Sequence, residues 1–142
     1  MFDAMAIATD GSASVDRAVG VALDLAERFD ATVHAVYVID SGDIDSVPTD
    51  IRDELRDAFA TEADRALSAI ADRVDADVVS AVRQGRPVPE LIAYAREHDL
   101  DLIVTGTRGR HAEGGLMLGS VAEGMVRTCP VPVLTVRHLA TD

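Results

Sequence analysis

Asp101-Leu-Ile-Val-Thr-Gly-Thr-Arg-Gly109, with Gly119-Ser120 after it, decides how this chain is read. Leu100 to Thr105 is a short, β-rich apolar run and predicts a buried strand. Gly106 and Gly109 then pace a loop, and Ser120-x-x-Glu123 stands at capping-box spacing before a run in which Val121, Met125 and Val126 form an apolar face. A strand, a glycine loop and a helix start make a cradle for phosphate. Glycine lets the backbone turn with positive φ and lets its amides approach an anion without a Cβ in between. The first turn of the helix adds unpaired amides and about half a positive charge.

Upstream, β-rich runs alternate with helical ones. Asp3 to Thr9 predicts a buried strand ending in Asp10-Gly11-Ser12, and Val15, Ala18, Val19, Ala22, Ala26 and Phe29 give one apolar helix face from Ser14 to Asp30. A second strand runs from Thr32 to Val38. Ser41 to Pro48 reads as a polar loop, with Thr49 as cap of a long helix carrying Ile51, Leu55, Phe59, Ala66, Leu67, Ile70 and Val74. A third strand, Asp77 to Gln84, stops at Gly85, and Pro87 suits the first turn of a helix burying Val88, Leu91, Ile92 and Ala95. Thr128-Cys129-Pro130 closes the last helix. Val131 to Arg137 is the fifth strand, and Pro132 near its start favours a sheet edge.

Five strands joined by helices imply an α/β fold: an open, five-stranded parallel sheet of order 3-2-1-4-5 with helices on both faces, as one domain over residues 1–142. In such sheets a ligand binds beyond the carboxyl ends of the strands where the winding reverses, here between the first and fourth. Asp10 and Gly106 end those two strands, so two features far apart in sequence converge on one crevice.

Composition narrows the chemistry. The net charge of −12 repels nucleic acid and anionic lipid. It also fits a salty cytoplasm, where screening over about 3 Å at molar salt removes self-repulsion. All 13 basic residues are arginine. Without lysine there is no Walker A loop and no receiver-type site. No apolar run reaches the roughly 20 residues of a membrane span, and Met1-Phe2-Asp3 lacks the basic start of an export signal, so the expected location is cytoplasmic. Cys129 stands alone and reads as a small buried hydrophobe. His34, His98, His111 and His138 have no metal-ligand spacing, and no Gly-x-Ser-x-Gly elbow occurs.

Ala8-Thr-Asp-Gly-Ser12, Tyr37-Val-Ile-Asp40, Gly85-x-Pro87, Asp101-Leu-Ile-Val-Thr-Gly106 and Leu118-Gly-Ser-Val-Ala-Glu123 before Pro130-Val-Pro-Val133 resemble the universal stress protein domain over essentially the whole chain. The resemblance implies the adenine nucleotide alpha hydrolase-like fold. The spacing Gly-x2-Gly-x9-Gly-Ser resembles the branch of that family that binds ATP. It implies that Asp10 lies near the ribose, that the Val38 backbone reads the adenine edge with Ala8 and Thr9 as walls, and that Gly106 lies under the ribose. Gly109, Gly119, Ser120 and Val121 would meet the phosphates. Arg108 and Arg110 offer counter-charge or are simply solvated; Arg108 is carried as the candidate. Mg²⁺ or Mn²⁺ would ride on the phosphates, with Asp10 as the protein oxygen.

Competing readings stand beside these. Asp10-Gly11-Ser12 is also ordinary turn chemistry, and Ser120 also suits capping of its own helix. Three departures from the family pattern are Arg108 where histidine is frequent, Gly114-Gly115 in the loop, and Gly124 inside the last helix, which suggests close packing, for instance against a partner subunit. The family commonly pairs through its last strand, which implies a homodimer through Val131 to Val136. The functional expectation is a nucleotide-dependent stress-response dimer. The alternatives are a slow ATP hydrolase using the same pocket and a nucleotide-free dimerisation module.

Overall fold

The computed structural model describes residues 2–108 and 119–139. The chain runs β1 (Ala4–Thr9), α1 (Asp16–Phe29), β2 (Thr32–Asp40), α2 (Ser41–Asp45), α3 (Arg52–Ala71), β3 (Val78–Gly85), α4 (Pro87–Glu97), β4 (Leu102–Gly106), α5 (Ser120–Thr128) and β5 (Val133–Val136). Single 3-10 turns, Ala13–Val15 and Thr49–Ile51, lead into α1 and α3. The strands form one sheet of order β3-β2-β1-β4-β5, with every neighbouring pair parallel. The expected order 3-2-1-4-5 and the helices on both faces are therefore found.

Alternation along the strands builds two apolar layers. Met5, Ile7, Ala35, Tyr37, Ile39 and Val104 pack with α1 and α3, while Ala6, Ala8, Val36 and Ile103 pack with Leu91, Tyr94 and Ala95 of α4 and Met125 of α5. Asp101 tightens the start of the sheet, its Oδ2 accepting the amides of Asp3 at 2.8 Å and Ala4 at 3.0 Å.

Several local expectations are corrected. Ser41 to Pro48 is not all loop: Asp40 Oδ1 accepts the Gly42 amide at 2.9 Å, and Ile44 is fully buried, so a cap and one apolar anchor form the short α2. Thr49 opens a 3-10 turn instead of capping α3. Phe29 and Val126, expected on buried faces, are 50% and 54% exposed, each within three residues of its helix's C-terminal end. Cys129 is half-buried. Gly124 meets Val88 of α4 within the same chain, which accounts for its small size without a partner subunit.

Candidate functional site

The carboxyl ends of β1 and β4 bring three segments together. After β1, Thr9 Oγ1 accepts the Gly11 amide at 3.1 Å and Asp10 Oδ1 accepts the Ser12 amide at 2.9 Å, with Gly11 at φ +79°. This is the tight turn that Asp-Gly-Ser favours, since glycine takes positive φ without strain. The ordinary turn reading thus holds, and it holds Asp10 at the strand tip while occupying one of its carboxylate lone pairs.

The second segment is the exit of β4. Gly106 is buried, and a Cβ on it would stand 3.3 Å from the Ser14 carbonyl oxygen and 3.4 Å from that of Arg108. A side chain there would crowd two backbones, each of which would have to give by a few tenths of an ångström. Ser14 Oγ donates to the Arg108 carbonyl at 3.2 Å, and the Ser12 and Ser14 hydroxyls are 2.8 Å apart. The Thr107 amide donates to Val136 of β5 at 3.2 Å.

The third segment is the start of α5. The Gly119 amide donates to the Thr107 carbonyl at 2.6 Å, which brings the first turn of α5 to the end of β4. Gly119, in extended conformation (φ −66°, ψ 162°), is the N-cap. Ser120 is therefore the first helical residue and is exposed; the expected capping box does not form, and Glu123 instead pairs with Arg127 at 3.0 Å. The amides of Ser120 and Val121 lie in the first turn, where an α-helix makes no internal bonds for them. Arg108, at the exit of β4, is half-buried.

Val38, near the end of β2, is half-buried beside the α4 layer and aligned with Arg83 of β3, whereas Ala8 and Thr9 are buried at the end of β1. Gly109, Arg110, His111 and Gly114-Gly115 lie outside the described residues. Sequence reasoning missed Ser12 and Ser14 as hydroxyl partners, Thr107 as the carbonyl that holds Gly119, and Glu62 of α3, whose Oε1 would stand 3.2 Å from a Cβ on Gly11. Only the serines carried a signal, as hydroxyls two residues apart beside Asp10.

Away from the crevice, His34 Nδ1 lies 2.7 Å from the Tyr94 hydroxyl, the Tyr94 ring stacks on His98 at 4.1 Å, and Arg83 covers Tyr94 while pairing with Glu97. Burial, and then the neighbouring His98, hold His34 below the usual histidine value. Burial raises the Tyr94 phenol, and the Arg83 bond lowers Glu97. Among the described residues no group of three or more His, Cys, Asp or Glu could hold a metal ion, and no helix is long and apolar enough to cross a membrane.

The pattern that defines the Universal stress protein family matches residues 1–137. This chain belongs to that family. A universal stress protein of Methanocaldococcus jannaschii is 30% identical over 96% of this chain and 83% of its own length. Among solved structures, hypothetical protein MJ0577 superposes with a TM-score of 0.83 at 25% identity, covering 99% of each chain. A universal stress protein crystallised in complex with cAMP gives a TM-score of 0.71 at 25% identity, covering 97% of this chain and 98% of its own.

Proposed function

We propose that this universal stress protein binds an adenine nucleotide, with ATP as the leading ligand, across the carboxyl ends of β1 and β4. The observation that carries the reading is the bond from the Gly119 amide to the Thr107 carbonyl, which sets the first turn of α5 beside the tip of β4. Its first-turn amides at Ser120 and Val121, for which an α-helix supplies no internal acceptor, together with the Arg108 charge suit a phosphate chain. A relative crystallised with cAMP supports an adenine nucleotide as the class. Asp10 serves the ribose hydroxyls or a phosphate-borne Mg²⁺ or Mn²⁺, Ala8, Thr9 and Val38 line the base, and Gly106 and Gly109 give the backbone its approach.

The protein then acts as a nucleotide-dependent stress-response module in the cytoplasm. It pairs through β5, which lies at the sheet edge with no further strand beside it among the described residues, an edge suited to a second copy. Light scattering in high salt is expected to give a dimer, and a monomer at micromolar concentration would exclude it.

The nucleotide reading is tested by mass spectrometry of the small molecules released on denaturing purified protein, together with calorimetry of ATP with Mg²⁺. An adenine nucleotide and one saturable site per chain are expected. No binding at millimolar ATP would leave a nucleotide-free dimerisation module. Steady release of ADP that disappears with Asp10→Asn would make the pocket a slow hydrolase.

A further inference from the structure

We propose that Ser14 is a positioning residue of the nucleotide site, linked to Asp10 through Ser12. The proposal rests on the nucleotide-binding reading and adds to it a residue that nothing above places at the ligand. A serine hydroxyl has one proton to give. Ser14 spends its proton on the Arg108 carbonyl, so Ser12 must be the donor in the 2.8 Å pair of hydroxyls. Ser12 in turn gives its backbone amide to Asp10 Oδ1 at 2.9 Å. Asp10 is thus tied to the Ser12 backbone, and the Ser12 and Ser14 hydroxyls run on from that residue to the carbonyl of Arg108.

Ser14 and Arg108 are 94 residues apart in sequence, so their bond is a tertiary device and not a feature of one turn. Ser14 holds the β4 exit through its hydroxyl on Arg108, and its carbonyl oxygen lies close to Gly106, 3.3 Å from where a Cβ on that residue would stand. The residue before Arg108 is Thr107, whose carbonyl holds Gly119 and with it the first turn of α5. Ser14 thus fixes the backbone from which the phosphate-facing groups are hung. It has no such connection to Val38 on β2, where the base is expected.

This division between the phosphate side and the base side gives the test. Ser14→Ala is expected to weaken ATP binding, measured by calorimetry, by about five- to tenfold, as suits the loss of one hydrogen bond. Adenosine, measured by competition, should bind as in the wild type, and Ser14→Thr should restore ATP binding because it returns the hydroxyl. Ser12→Ala, which removes only the hydroxyl that donates to Ser14 and leaves the Ser14 bond to Arg108, should weaken ATP less than Ser14→Ala does and likewise spare adenosine. A variant that merely loosens the fold would lose adenosine and ATP alike and would not be rescued by threonine; that result overturns the proposal, as does Ser14→Ala binding ATP as tightly as the wild type. A wild-type chain that binds no adenine nucleotide overturns the underlying reading and this proposal with it, a result distinguishable because it needs no variant.

Discussion

Gly124 of α5 faces Val88 of α4 so closely that a Cβ built on it would stand 2.8 Å from Val88 Cγ2. Helices α4 and α5 cover the same face of the sheet, and this missing side chain sets their separation. Glycine inside a helix costs about 1 kcal/mol relative to alanine, so the contact must return more than that. Gly124→Ala is expected to destabilise the fold, since overpacking costs about 1–3 kcal/mol and exceeds the gain in propensity. Calorimetric melting should fall by about 2–4 °C for each kcal/mol lost. Gly124→Ala with Val88→Ala should melt above Gly124→Ala alone, because the second change removes the methyl that collides. Equal melting of the single and double variants would refute the contact as the cause.

Ser120 stands at the first helical position, exposed, with Gly119 as the cap. Ser120→Ala should therefore leave stability within about 0.5 kcal/mol, the usual range for a surface change. If the hydroxyl meets phosphate, the same variant weakens ATP several-fold. Melting curves and calorimetry on one preparation separate the two roles. A large loss of melting temperature would return Ser120 to capping.

Burial under α4 gives His34 a folded pKa below its ordinary 6.5, so the folded chain favours the neutral ring. The unfolded chain then takes up the proton first as pH falls. The stabilisation is complete above about pH 6.5 and is lost as pH drops from there through the lower folded value. Melting temperature measured from about pH 7.5 to about pH 5 should decline for the wild type and flatten for His34→Gln, which cannot titrate in that window. Glu97, lowered by its bond to Arg83, contributes stability that is lost only in the acid range of carboxylates, so the two effects occupy separate windows. An unchanged slope in His34→Gln would rule the histidine out.

Asp101 joins the turn before β4 to the start of β1 through two amides. Asp101→Ala should lower stability by about 1–2 kcal/mol, less than two fully buried charged bonds would, because the Asp3 contact is exposed to water. Hydrogen exchange should accelerate at Asp3 and Ala4 before it does so in the centre of β1. Uniform acceleration along the strand would mean the effect is global.

The strand order and the crevice were legible because the signals are local and periodic. Asp10-Gly11-Ser12 and Gly106 announce strand ends by backbone chemistry, and the valine- and alanine-rich runs between them alternate with helical spacing. What escaped was set by tertiary contact. Ser120 reads as a cap by its spacing to Glu123, but the Thr107 carbonyl takes the Gly119 amide and moves the helix start by one residue. The short α2 exists because Asp40 caps it and Ile44 finds the core, a choice that a polar five-residue segment does not advertise. Ser14 and Arg108 meet across 94 residues, a distance at which no pattern in the letters points to a partner.

The bond between Gly119 and Thr107 also bears on how the last helix is held. Thr107 and Gly119, twelve positions apart in the chain, are moored directly to one another, so the end of β4 and the start of α5 share one anchor. The sheet and its last helix are thus joined by a bond between described residues on β4's exit and α5's cap, independent of what the chain does in between.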